Sequence, residues 1–369
     1  MRPRRLIHFA CNFMIIYFLA SCETSPSSKD LSIQNEALHS ATGMVVDGSG
    51  GVGGGVGGEA GGGDDITDDG MTPWAFNGTM GVTIRTTHYR IHTNSNNTEL
   101  VAALPDFCEQ AYLEFQHFTE SRTYSKYDFD SDTPFSRMDV YLLASRQDWE
   151  QFTSDLLVER AETLVRLNRG GFTMRGTSVY YDLGYRDTLT IAAHEGWHQF
   201  AQRYFADPLP VWLDEGIACQ MESLALGPVE GEIQFQQNYN PNRLDSLISA
   251  RDHQRLLSIH DLVNETPADF IRDQGSSTTS NYYAQVWALT RFLVEYKHGK
   301  YRQSLKRLLR DALAGTLHDR VRSTPRTLTD LAELVSARCC SPGEIFRVYI
   351  IDDFDEANIK YLKFINSLP

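Results

Sequence analysis

A chain of 369 residues, 41% hydrophobic and 22% charged, has material for one large domain or two moderate ones around a sizeable core. Its 34 basic and 48 acidic residues leave a net charge of −14, which excludes nucleic acid as the main partner, because phosphate binding needs clustered Lys and Arg. The charge does not name a substrate.

Arg2, Arg4 and Arg5 precede an apolar run from Leu6 to Leu19, and Leu19-Ala20-Ser21-Cys22 follows. A basic start, an apolar stretch and small residues before a cut mark a secretory signal. The run is short for a membrane span of ~20 residues. A Cys directly after Leu-Ala-Ser resembles the bacterial lipoprotein signal; a plain signal peptide or a short anchor is the alternative. The resemblance implies that residues 1–21 are removed and that Cys22 is lipidated. It also implies that the chain meets the membrane through this lipid, at the cell envelope and facing the periplasm or exterior. From 22 to 73 the chain is rich in Ser, Gly and Asp, and Gly48 to Gly63 is almost pure glycine. Such a stretch buries too little to offset its chain entropy. It reads as a flexible tether with a reach of roughly 40 Å, leaving 74–369 as the folded domain.

Within that domain, Gly81 to Thr93 alternates as a strand with Val82, Ile84, Tyr89 and Ile91. Glu99 to Thr119 has helical spacing. Arg137 to Ala144 predicts a second strand, Gln147 to Leu167 a second helix, Arg169 to Phe172 a break, and Thr177 to Asp182 a short strand. A helix from about Asp187 or Thr188 follows, ended by Pro208 and Pro210. Further helices are expected at Val211 to Leu224, Tyr282 to Tyr296, Tyr301 to Leu313, Leu328 to Val335 and Glu356 to Ile365. Strands alternating with helices and then mostly helices predict an α+β fold with a mixed sheet. Beyond Cys11 and Cys22, the cysteines Cys108, Cys219, Cys339 and Cys340 remain. Outside the cytoplasm these can pair; three connectivities are open, and neighbours Cys339 and Cys340 do not suit one another.

The chemistry lies in His194-Glu195-Gly196-Trp197-His198 and in Glu215 of Trp212-Leu213-Asp214-Glu215-Gly216. Histidines four apart on a helix point the same way. Two imidazoles and a carboxylate are a ligand set that suits zinc and leaves a position open. Glu195 is placed to accept a proton from water. The prolines turn the chain, so the next helix packs antiparallel and brings Glu215 toward His194 and His198. Leu189, Ala193, Trp197, Phe200 and Tyr204 form a separate stripe, read as core. Gly196 costs roughly 1 kcal/mol relative to Ala in a helix interior, which suggests a close approach of another backbone or of a substrate.

His-Glu-x-x-His followed by Trp-Leu-x-Glu-Gly-x-Ala resembles the gluzincin metallopeptidases, above all the peptidase-MA-like domains of bacterial surface proteins. The resemblance covers residues 80 to 365, with specific motifs only between 190 and 220. It implies a thermolysin-like fold, Zn2+ on His194, His198 and Glu215, and Glu195 as general base. It also implies that Tyr283, with Tyr282 next, donates to the developing oxyanion. Where thermolysin carries an Asp beside its ligands this chain has Cys219, so the ligands must be oriented from elsewhere. The Gly-x-Met-Glu-Asn phrase of aminopeptidases is absent, which favours an endopeptidase acting on a peptide or protein substrate. Gly176 to Tyr181 is expected to serve as the substrate-pairing edge strand, with Arg169 to Phe172 shaping its entrance. Two other functions fit the sequence: a catalytically idle surface-binding lipoprotein on the same scaffold, and a metal hydrolase of a non-peptide amide.

Overall fold

The computed structural model describes residues 71–120, 137–157, 170–226, 233–236, 239–267, 269, 276–324 and 340–369. The signal, Cys22, the tether up to residue 70, Cys339, the far part of the helix expected at 147–167 and the helix expected at 328–335 lie outside these residues.

The fold is α+β, with one mixed six-stranded sheet and a mostly helical remainder. Strand β1 (Met71–Phe76) pairs antiparallel with β2 (Thr79–Arg85), so residues 71–73 belong to the sheet and not to the tether. The single strand expected over 81–93 is two. After β2 the chain reverses and returns as β3 (Tyr89–Thr93), with Ile84 opposite Ile91. The buried apolar residues fall on an even number at Ile84 and on odd ones at Tyr89 and Ile91. That change of parity records the turn, because a strand alternates faces strictly.

Helix α1 (Thr98–Thr119) crosses to β4 (Met138–Leu143), which runs parallel to β3, and α2 (Arg146–Leu156) leads on. The expected break at 169–172 is instead the start of an edge strand, β5 (Gly171–Met174). It pairs antiparallel with β6 (Thr177–Tyr181), giving the order β1-β2-β3-β4-β6-β5. Strand β6 is therefore interior, and the expected edge role of 176–181 passes to β5. Gly171 permits that pairing, since a Cβ there would stand 2.8 Å from Val179 O and from the Tyr180 Cβ.

Alternation sends Val140 and Leu142 to one face of the sheet and Tyr141 and Leu143 to the other. The first face packs on α1 and on α3 (Tyr185–Tyr204). The second packs on Trp149 and Phe152 of α2 and on Trp74 and Phe76 of β1. Helix α3 starts two residues before the expected Asp187, after Gly184 at φ +91°. The Thr188 hydroxyl, expected as a cap, instead accepts from Leu183 N at 2.9 Å.

Helix α4 (Val211–Met221) follows the proline turn and packs on α3. A small hairpin, β7 (Leu224–Leu226) and β8 (Ile233–Phe235), comes next. The helical remainder is α5 (Pro241–Asp252), α6 (Ile259–Asn264), α7 (Ser276–Gly299), α8 (Arg302–Ala314), α9 (Leu317–Arg322), α10 (Pro342–Tyr349) and α11 (Phe354–Ile365). Helix α7 leaves helical geometry at Tyr296, Lys297 and His298, close to its expected end. The segments α5, α6, α9 and α10 were not read from spacing, although α10 opens with a capping box of Ser341 and Glu344.

Helices α4 and α7 meet at Gly216, where a Cβ would collide with Thr290 Oγ1 and lie 2.7 Å from Val286 O. The glycine after Glu215 is thus a requirement of packing. Gly196 has a milder reason: a Cβ there would sit 3.3 Å from two carbons of the Phe115 ring on α1. Among the described residues no helix is long and apolar enough to cross a membrane. Cys108, Cys219 and Cys340 are buried free thiols, so the pairing thought open to them is not made.

Candidate metal centre

Helix α3 carries His194 and His198 on its side facing α4, one turn apart. Asp207, in the link between the two helices, donates from its N–H to Ala312 O at 3.0 Å and accepts from Leu317 N at 2.9 Å. These bonds fix the turn that returns α4 antiparallel to α3. Glu215, in the second turn of α4, then meets both histidines. Its Oε2 lies 3.5 Å from His194 Nε2 and 3.5 Å from His198 Nε2. All three residues are at most 1% exposed. Their ligand atoms lie within 4.8 Å of one another, so the group can hold a metal ion.

The other ring nitrogens are gripped from behind. His194 Nδ1 is 2.7 Å from Glu222 Oε1, and His198 Nδ1 is 3.2 Å from Asp214 Oδ2. A carboxylate at Nδ1 favours a proton there, so that on metal binding Nε2, which faces Glu215, would be the ligand atom. Both anchors are themselves held. Trp197 Nε1 donates to Asp214 Oδ1 at 2.7 Å, so Trp197 does more than fill the core. Arg243 donates to Glu222 through two nitrogens at 2.6 and 2.9 Å, and Asn240 Nδ2 adds a bond of 2.8 Å.

Asp214, Glu222, Asn240 and Arg243 were not singled out from sequence. Glu222 had a signal: it lies seven residues after Glu215, two turns along the same face, with Cys219 between. Orientation does come from residues other than Cys219. A second cluster of His194, Cys219 and Glu222 also comes within ligand distance, but both Glu222 oxygens already serve Arg243 and Asn240.

The electrostatics of the pocket ask for a cation. Burial would lower His194, yet Glu215 and Glu222 outweigh it and hold its pKa above the ordinary value. Burial is likewise overcome at His198, chiefly by Asp214 and Glu215. Against burial, the histidines hold Glu215 below the usual carboxylate range, and Arg243 holds Glu222 at about 2. His194 Nε2 and both Glu215 oxygens are buried yet make no hydrogen bond. Leaving such atoms unsatisfied costs about 1–3 kcal/mol each. A metal ion between them would remove that cost and take the place of protons.

Glu195 is 1% exposed and sits beside this group, and its carboxyl is raised by burial. Thr173 Oγ1, from edge strand β5, lies 2.9 Å from its Oε2. From α7, the Tyr283 ring stands edge-on to His194 at 6.4 Å between centroids, beneath the Arg243 guanidinium at 5.2 Å. Tyr282 is fully buried next to it, its hydroxyl raised by burial and by the Glu215 charge. The fold therefore brings His194, His198, Glu215, Glu195 and the tyrosine pair to one place.

Residues 188–312 match a family described as protein of unknown function, DUF1570. Over that stretch the chain is similar to DUF1570. The match takes in about a third of the chain, from α3 to α8, and includes the two histidines, Glu215, Glu222, Arg243 and both tyrosines. It leaves out β5 and Thr173. No curated protein matches the chain.

Proposed function

We propose that this protein is a zinc-dependent peptidase, of the endopeptidase type, with His194, His198 and Glu215 as metal ligands. The observation that carries the reading is the convergence of His194, His198 and Glu215 on one buried point, where His194 Nε2 and both Glu215 oxygens make no hydrogen bond, with the Glu195 carboxylate beside them. Two nitrogens and one oxygen suit zinc and leave room for a further ligand. Zinc, when bound, supplies Lewis acidity to the attacked carbonyl and to water.

The rest falls to the chain. Glu195 accepts a proton from the attacking water and returns it to the leaving amine. Its raised pKa suits a group that must both take and give. Asp214 and Glu222 hold the ligand imidazoles in register. Strand β5, at the edge of the sheet, offers its outer side to an extended substrate. Tyr283 is the proposed donor to the developing oxyanion, with Tyr282 as the second candidate. An edge strand beside the helix with both histidines, then a helix with the third ligand, supports a thermolysin-like arrangement. The lipoprotein-like signal supports anchoring through Cys22 at the cell envelope.

Cleavage of an unbiased peptide library by the zinc-loaded protein tests the reading. The expected outcome is internal cleavage by the wild type and none by Glu195→Gln, with zinc retained in both. A zinc-loaded wild type that cleaves no peptide would favour the idle scaffold or a non-peptide amide.

A further inference from the structure

Thr173 Oγ1 occupies an unusual position. It lies 2.9 Å from Glu195 Oε2, 2.9 Å from the Glu195 main-chain oxygen and 2.9 Å from Ser178 Oγ. A hydroxyl has one proton and two acceptor lone pairs. It can therefore take the Ser178 proton and give its own to Glu195. Ser178 Oγ also lies 3.2 Å from Gln199 Oε1, a competing acceptor for its single proton, and Gln199 is itself fixed by donating from Nε2 to Asp139 O and Gly176 O at 2.7 Å each. With either choice for Ser178, the Thr173 proton stays available to Glu195. Among the described residues no hydrogen bond reaches Glu195 Oε1.

Thr173 is also part of the sheet edge. Its side chain turns inward to Glu195, while its own carbonyl is reached by Gln202 Nε2 at 3.5 Å on the exposed side. A substrate segment that pairs with β5 would touch the same residue that holds the base.

We propose that Thr173 is the positioning residue of Glu195: it fixes Oε2, leaves Oε1 for the proton that is moved, and ties the alignment of the base to the edge strand. This rests on the peptidase reading. A group that aligns another acts on the rate of the chemical step more than on ground-state binding. With zinc-loaded full chain, Thr173→Val is expected to lower kcat ~10- to 100-fold. KM and zinc content should stay within about twofold, since neither depends on transition-state alignment. Thr173→Ser restores the hydroxyl and is expected to recover most of the rate. Full activity in Thr173→Val, or equal losses in the Val and Ser variants, would overturn the proposal.

A second measurement does not need activity. In metal-free full chain, Thr173→Val is introduced with and without Glu195→Ala, and unfolding midpoints are compared. The Thr173→Val shift is expected to shrink by at least about half when the Glu195 side chain is already gone. Equal shifts in the two backgrounds mean that the two side chains are not coupled, which overturns the proposal whatever the wild type cleaves. Coupling in a protein that cleaves no peptide would instead sink the peptidase reading and leave the contact standing.

Discussion

Two of the clusters that set histidine against carboxylate, one largely buried on the sheet and one fully buried between α3 and α4, differ in how their polar atoms are satisfied. On the sheet, His92 Nδ1 meets Thr83 Oγ1 at 2.9 Å and His92 Nε2 meets Asp139 Oδ1 at 3.2 Å. Arg90 donates to both Asp139 oxygens at 2.5 and 2.8 Å. The His92 ring is stacked on Tyr141 with centroids 4.5 Å apart. Both ring nitrogens and both carboxylate oxygens have partners. Between α3 and α4, the outward-facing nitrogens are equally well held, yet His194 Nε2 and both Glu215 oxygens are left without a hydrogen bond. A satisfied network ties strands together; an unsatisfied, convergent one is arranged for something that arrives later.

The contrast can be broken by substitution. Glu195→Gln has the largest expected effect, a loss of ~10²–10⁴ in kcat with zinc retained; peptide-cleavage kinetics with metal analysis would show it. The tyrosines come next: Tyr283→Phe is expected to lower kcat ~10²-fold and Tyr282→Phe less. Reversal of that order by kinetics would move the donor role to Tyr282. Glu222→Gln should weaken zinc affinity ~10- to 100-fold by loosening His194, measurable by competition with a chelator.

The sheet cluster should respond in stability alone. Burial would raise Asp139, but hydrogen bonds from His92 and Arg90 outweigh it and hold the carboxyl at about 2. Its folded pKa lies below the unfolded value of about 3.9. The cluster therefore contributes about 2 kcal/mol above pH 4, and that contribution fades as pH falls toward 2. Asp139→Asn should remove a similar amount at neutral pH and flatten the acid limb, with zinc content unchanged. Chemical denaturation from pH 2 to 7 checks this, and a loss of zinc in Asp139→Asn would blur the distinction between the clusters.

Much of the α3–α4 centre was legible because it is local. Spacing within one helix aligns His194 with His198, and a proline turn forces the next helix back. The close approach at Gly196 is that of the Phe115 side chain, from a helix far off in sequence, and not of the backbone or substrate expected there. The supports were harder to read for the same reason. Arg243 and Asn240 belong to a separate helix and its cap, and nothing in their own neighbourhood tells of Glu222. The edge strand was missed because Gly170-Gly171 reads as a break, although Gly171 is what lets β5 lie against β6. The hairpin of β2 and β3 was hidden by a short turn inside one apolar pattern.

The central claim is that the unsatisfied cluster binds zinc. Elemental analysis of the purified full chain, after exposure to zinc and removal of loosely bound metal, tests it most directly. The account predicts about one zinc per chain in the wild type and in Asp139→Asn, and none in His194→Ala. Full retention of zinc in His194→Ala, or a wild type that holds none, would contradict it.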